Sequence, residues 1–373
     1  MTIVLDGSSG ITAPTYGGNV ASEYHVPVTA FKNRIINGNM AIDQRNAGAS
    51  VTISTGAYTL DRWVTYASQV SKYSIQQNAG AVTPPVGFSN YLGATSLSAY
   101  SVLTSDYFVI QQNIEGFNTA DLGFGTVNAS AVTLSFWVRS SLTGTFGGAL
   151  QNSASTRSYP FSYSIPVANT WTNISITIAG DTTGTWVGAT NGIGLQVRWG
   201  IGVGATSSGT AGSWSGGNYY SATGATSVVG TSGATFYITG VQLEKGSTAT
   251  SFDQRAYSQE LAMCQRYYQQ WGGNTQNERL ATGYNQTNAQ TRIDMPLVVT
   301  MRAVPTATVS AASDWTVESA TGSFACTSFV LDQPSTKIAS FTISVTTGVT
   351  SGQGVHIMAN STTNARLNLS AEL

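Results

Sequence analysis

The chain has 373 residues, carries a formal charge of -1 and is 9% charged against 41% hydrophobic. So sparse and balanced a charge argues against a nucleic-acid binder, which needs a basic surface to release counterions from phosphates. The 8 Trp, 17 Tyr and 13 Phe supply packed cores and exclude global disorder, while 2 His and 2 Cys leave little from which to cluster a catalytic site.

The length calls for two or three domains. Residues 1–35 read as a separate opening segment, with a short strand at 2–5, a turn at Asp6-Gly7, and breaks at Gly17-Gly18 and Pro27. Too small to bury a core, it is expected to dock on another protein; a disordered tail is the plainer account. Its start, MTIVLDGSSG, lacks the basic and apolar regions of a signal peptide. No run approaches the ~18–20 apolar residues of a membrane span.

Residues 36–252 read as one large β-domain. The run 133–138 (TLSFWV) places Leu134, Phe136 and Val138 on one face, and 107–110, 172–178, 195–199 and 234–243 are further strands. Segments 140–148 and 204–217 read as Gly/Ser/Thr loops. Many short strands between turns predict an all-β, jelly-roll-like sandwich.

Residues 253–273 read as a linking helix. Ser251-Phe252-Asp253-Gln254 resembles a capping box, and Gly272-Gly273 ends the element. Tyr257, Leu261, Cys264, Tyr268 and Trp271 follow at spacings of 4, 3, 4 and 3, a heptad seam suited to a short bundle of chains. A single amphipathic helix lying on its own β-domain competes with that expectation. Residues 274–373 form a second, smaller β-domain, with alternating strands at 339–345 and 366–373.

Chemistry-bearing motifs are few. His25 and His356 have no metal-ligand spacing, so no metal and no cofactor are expected. Cys264 and Cys326 read as buried free thiols of a chain folded in a reducing cytosol. Asp43, Asp61, Asp106, Glu115, Asp121 and Asp181 are available for a glycosidase pair, but none forms a local signature, so the chain is read as a non-enzyme. There is no D-x-[DN]-x-[DN]-G calcium loop and no G-x-S-x-G elbow. At Asp61-Arg62-Trp63 the arginine is expected to satisfy a neighbouring acid while the tryptophan fills the core, and Arg139 and Arg198 are read in the same way. The stretch 213–220 (SWSGGNYY) is the candidate contact surface, with Trp214, Tyr219 and Tyr220 as glycan-stacking residues unless the loop folds back and buries them.

Several stretches carry a resemblance. Residues 33–45 (NRIINGNMAIDQR) and 58–63 (YTLDRW) resemble the start of a β-sandwich module found in bacteriophage tail fibre and minor tail proteins. Residues 236–255 (FYITGVQLEKGSTATSFDQR) resemble its closing strand, and 257–268 (YSQELAMCQRYY) the helix that leaves it. The opening MTIVLDGSSGIT is similar to the start of such fibre chains, whereas 274–373 match only in general character. The resemblance implies a virion structural protein with a sandwich like those of carbohydrate-binding modules. It implies a homotrimer attached through residues 1–35 to tail or baseplate proteins and made in the host bacterial cytoplasm; the matched motifs are framework, and binding of a host surface glycan is the expectation of the fibre reading and of the 213–220 loop. A head-fibre, collar or baseplate protein without receptor binding is the alternative, and a polysaccharide depolymerase a third. No nucleic-acid partner and no membrane insertion are expected.

Overall fold

The computed structural model describes residues 4–6, 10–12 and 32–373. It divides into two compact units, Met1–Lys32 and Asn33–Leu373. In the first, β1 (Val4–Asp6) and β2 (Gly10–Thr12) form an antiparallel hairpin with Val4 opposite Thr12. His25, Gly17-Gly18 and Pro27 lie outside the described residues.

The second unit opens with an all-β sandwich. Its strands are β3 (Val51–Thr52), β4 (Ala57–Leu60), β5 (Trp63–Ala67), β6 (Tyr73–Gln77), β7 (Leu92–Ser96), β8 (Tyr107–Glu115) and β9 (Val132–Ser140). After them come β10 (Gly144–Gln151), β11 (Ser158–Ile165), β12 (Thr172–Ile178), β13 (Ile193–Val203), the short β14 (Ser208–Gly209) and β15 (Ser221–Ala222), and β16 (Thr235–Lys245). One six-stranded sheet runs β11-β10-β13-β8-β5-β4 and the other β12-β9-β16-β7-β6-β3. Both are antiparallel, and their alternating apolar residues meet in one core. At its centre Trp63, Trp199 and Phe136 are fully buried, with ring centroids 5.6 Å apart for Trp63–Trp199 and for Phe136–Trp199.

The stretch expected as a loop at 140–148 is partly strand. Gly144–Gln151 pairs with β11 on one side and β13 on the other; Gly147 leaves room for Ser221 and Ala222, and Gly148 for Phe161 and the Arg198 carbonyl, so these glycines serve close packing rather than a turn.

Residues 33–42 are framework. Asn33 donates from Nδ2 to the Val241 carbonyl and accepts from the Leu243 amide, so the opening of the sandwich is tied to its closing strand. Gly38 is required here, since a Cβ would lie 2.2 Å from the Val241 carbonyl oxygen. Asn37 adopts φ 58° and accepts at its carbonyl from Trp63 Nε1 at 3.0 Å.

The helix is shorter than its spacing predicts. Helix α1 spans Tyr257–Gln265, begins at the cap position Ala256 without a side-chain cap, and gives way to strand β17 (Tyr268–Gly272). The Gln254 amide donates to the Gly87 carbonyl and so does not close a capping box. Tyr268 and Trp271 therefore leave the expected seam: β17 takes a full antiparallel ladder with β25 (Arg366–Ser370), satisfying its backbone groups, and Trp271 packs on the C-terminal core. Cys264 is buried with Ile36, Ile42 and Tyr267, Leu261 packs against that cluster, and Tyr257 is 65% exposed. A continuous heptad seam does not exist because the apolar spacing spans two kinds of element.

The C-terminal part is a closed barrel. Its strands are β18 (Arg279–Asn285), β19 (Gln290–Pro296), β21 (Trp315–Ser319), β22 (Gly322–Leu331), β23 (Ile338–Val345) and β24 (Gly354–Ala359), in the order β18-β19-β23-β22-β21-β24. A small sheet, β17-β25-β20 with β20 at Thr306–Val309, flanks it. The predicted alternation holds: Phe341, Ile343 and Val345 enter the barrel core, as do Leu367 and Leu369 from the last strand and Ala371 just after it. Both cysteines are free and buried.

Candidate functional site

The antiparallel register of the first sheet lays chemistry out in rows. Val64, Gln111, Arg198 and Ala149 stand opposite one another across β5, β8, β13 and β10. Two residues along, Asn113, Gln196 and Gln151 form a parallel polar row. In the other direction Tyr66, Val109, Gly200 and Gly147 line up. Because side chains alternate, these positions face away from a core filled by Phe108, Ile110, Val197 and Trp199.

Arg198 is the centre of this face. Only 4% exposed, it donates from Nε to Gln111 Oε1 and from Nη2 to Gln196 Oε1 at 2.9 Å. Its guanidinium lies 4.3 Å from the Tyr220 ring centroid, and Tyr220 stacks on Tyr107 at 4.5 Å with 4° between planes. Tyr66, Tyr107 and Tyr220 are all half-buried. Burial lowers the Arg198 pKa to about 10, against the opposing pull of Tyr220, Tyr66 and Tyr107.

The loop after β13 straps part of this face. Strand β15 lies over β10 and β13 closely enough that a Cβ at Gly200 would meet Ser221 at 2.8 Å. Gln151 Nε2 donates to Asn218 Oδ1 at 2.8 Å, and the Tyr220 amide to the Ser207 carbonyl at 2.8 Å.

The three aromatics expected to form one stacking surface do not share an environment. Trp214 folds back to the sandwich edge, where its ring meets Tyr159, Trp186 and Phe124, and its Nε1 donates to the Ala179 carbonyl at 2.7 Å. Tyr219 packs against Gly209 and Gly217. Tyr220 alone of the three covers Arg198. The Gly-rich sequence lets the loop double back, so neighbours in sequence part in space.

The expected acid partners of the arginines are also revised. Arg62, in a left-handed conformation at φ 71°, pairs with Glu372 rather than with Asp61. Arg139 donates to the Asn169 carbonyl and lies over Tyr237. Arg198 has no carboxylate partner among the described residues. Sequence reading passes over Gln111, Asn113, Gln196 and Gln151; the available signal was polar residues at every second position inside strands whose other face is apolar.

The six carboxylates are each engaged. Asp43 accepts from the Asn46 and Gly48 amides, Asp106 from Ser68 and Tyr100, and Asp121 from Arg34. Glu115 accepts from Arg266 and Tyr267, and Asp181 takes Arg157 in a two-point pair at 2.7 Å. Each of the six has its own hydrogen-bonding partners, shared with none of the others. For Glu115 and Asp181, burial favours a raised pKa, but Arg266 and Arg157 respectively overcome it and hold both low. Among the described residues no group of three or more His, Cys, Asp or Glu is placed to hold a metal. His356 stands opposite Glu318 on the barrel.

Asp61 behaves differently. Burial raises its pKa to about 6, despite Arg45 and two hydrogen bonds from Gln44 at 2.7 Å. The unfolded chain releases this proton near pH ~4, so the folded state is disfavoured by this group as pH rises from about 4 to 6 and recovers as pH falls. The D61N variant lacks the titration. Its stability relative to wild type should improve by on the order of 2 kcal/mol between about pH 4 and pH 7, read from urea midpoints.

No family model and no curated protein matches the chain. Solved structures do show similarity. The enzymatically active domain of tailspike protein 4 from bacteriophage CBA120 aligns with 11% identity over 52% of this chain and 21% of that one, at TM-score 0.30. The chain thus spans about a fifth of the tailspike domain's length. A family 11 carbohydrate-binding module from Clostridium thermocellum, in complex with a beta-1,3-1,4-mixed-linked tetrasaccharide, aligns with 11% identity over 54% of this chain and 98% of that one, at TM-score 0.27. The N-terminal CBM22 tandem domain of Xyn10C from Paenibacillus barcinonensis aligns with 7% identity over 88% and 98%, at TM-score 0.25.

Proposed function

We propose that the protein is a virion structural protein of the tail-fibre type, which attaches to host cells through glycan contacts on its sandwich. One observation carries the glycan reading: a layer of buried amides and a guanidinium on the outward face of β8 and β13, beside the half-buried Tyr66 and Tyr107, with Tyr220 lying over the guanidinium. Amides fix sugar hydroxyls, and aromatic faces stack on sugar C–H faces. The virion reading is supported by the resemblance of residues 33–45 and 236–255 to fibre modules. The homotrimer follows from that resemblance alone, since α1 has only 9 residues. Attachment by the opening segment, expected as 1–35 although 33–35 are tied into the sandwich, location in the virion and synthesis in the host cytoplasm rest on the same resemblance. Several weak sites acting together raise avidity by about 10²–10⁴. We read the chain as a binding protein rather than an enzyme, each of its six candidate carboxylates being engaged elsewhere.

The test is retention of the purified chain on bacterial envelope polysaccharide. Replacing Tyr66 and Tyr107 by Ala should weaken binding by about tenfold or more, while Trp214→Ala, at the sandwich edge, should change it less than about twofold. The reverse order would move the site to the edge cluster. Light scattering checks the trimer: a mass near three times 39.0 kDa is expected, and a monomer at all concentrations would contradict it. An architectural head-fibre, collar or baseplate role is the second reading, favoured by the strapping of β15 over β10 and β13.

A further inference from the structure

We propose that the outward face of β8 and β13 takes an acidic saccharide, the carboxylate of a uronic- or sialic-type sugar engaging the Arg198 guanidinium. This rests on the glycan-binding reading above and names the class of sugar.

Buried guanidinium groups are ordinarily matched by a carboxylate, because an unpaired charge in a low-dielectric site is costly. Other buried arginines of this chain obey that rule: Arg62 pairs with Glu372, Arg255 with Glu260, and Arg34 with Asp121. Arg198 departs from it. Its acceptors are two neutral amide oxygens, and its Nη1 is buried with no hydrogen-bond partner. The rows around it carry Val64, Gln111 and Ala149 on one line and Asn113, Gln196 and Gln151 on the next, with no carboxylate side chain among them, and Asn113 Nδ2 donates to the main-chain oxygen of Leu373 at 3.0 Å. Burial lowers the Arg198 pKa, and only the tyrosines Tyr220, Tyr66 and Tyr107 pull against it.

A guanidinium presents a planar fork of donors that matches a carboxylate. Nε and Nη2 of Arg198 are fixed by Gln111 and Gln196, so the side chain is already oriented, and Nη1 is the donor still open. A sugar hydroxyl would fill the hydrogen bond but not the charge. A carboxylate does both, and charge-assisted bonds are about twice as strong as neutral ones.

Tyr220 is the cover. It lies over the guanidinium and against Tyr107, while its backbone is held separately through the Ser207 carbonyl. Rotation of the Tyr220 side chain therefore opens the site without unfolding the loop, and leaves Tyr66 and Tyr107 to stack on the sugar ring.

The test uses the full chain and calorimetric titration with oligogalacturonate and polysialic acid, each also supplied after reduction of its carboxyl groups, and with a neutral mixed-linked glucan oligosaccharide. The carboxylated form of at least one probe should bind, with its reduced form at least tenfold weaker. Arg198→Met should lose that binding tenfold or more with an unchanged or raised melting midpoint. Tyr220→Ala should bind at least as tightly as wild type. Should Arg198→Met not fold, Arg198→Lys and the wild-type comparison of carboxylated with reduced probes still decide. Equal binding of both forms, or binding of the neutral glucan alone, would overturn the acidic assignment and leave the glycan reading standing. Binding of no saccharide at all would overturn both.

Discussion

Replacing Glu372 by Ala is expected to destabilise the protein by about 3–5 kcal/mol, the usual cost of removing one partner from a buried ion pair. Glu372 follows the last strand of the small sheet but reaches into the sandwich, where its carboxylate accepts from Arg45 at 2.7 Å and from Arg62. The side chains of Glu372, Arg45 and Arg62 are 6%, 13% and 1% exposed, so water cannot replace the lost partner. Arg62 is further committed: its Nη2 donates to the Asn113 carbonyl at 2.6 Å and its guanidinium lies 3.5 Å from the Tyr267 ring centroid. Deleting the acid strands two oriented guanidinium groups. Because the segment joins the C-terminal sheet to the sandwich, proteolysis between the two should accelerate alongside the fall in urea midpoint. An Arg62→Met, Glu372→Leu double variant should recover part of the loss, since Arg62 leaves with its partner while Arg45 stays unpaired. A loss below about 1 kcal/mol for Glu372→Ala would mean that the pair is effectively solvated.

Trp199→Ala is expected to cost about 3–5 kcal/mol, with the cavity left behind adding to the lost burial. Trp199 is fully buried between Trp63 and Phe136, on the strand whose opposite face carries Gln196 and Arg198. The same substitution should therefore weaken glycan binding, whereas Trp315→Ala in the C-terminal core should destabilise without touching that face. Parallel denaturation and binding measurements on the two variants separate these effects. Equal loss of binding in both would place the site outside β13.

Much of the fold was legible from alternation. Thr172–Ile178 was bounded as it stands, and the apolar faces of β9, β23 and β25 follow from every second residue. What failed had a common cause: spacing along the chain cannot report which partner a segment finds. Tyr268 and Trp271 fit a heptad, yet their backbone is claimed by a strand about a hundred residues later. Arg62 has an acid beside it in sequence, but pairs with one at position 372. The segment 140–148 reads as loop because glycine is a poor strand former on average, but 144–148 belong to β10, where Gly147 leaves room for Ser221 and Ala222 above it. The site was least legible of all. Trp214 and Tyr220 stand out as exposed-looking aromatics, whereas the polar residues of the rows come from three strands, β8, β10 and β13, and meet only once their register is set. A buried arginine without an acid is a property of the fold, and no local motif announces it.

The measurement that bears most directly on the glycan-binding face is hydrogen exchange of the full chain, with and without a binding saccharide from the titrations above. Protection is predicted in Tyr107–Glu115, around Gln196 and Arg198, and in the loop through Tyr220, with the barrel unchanged. Protection confined to the barrel, or to the edge cluster of Phe124, Trp186 and Trp214, would contradict it.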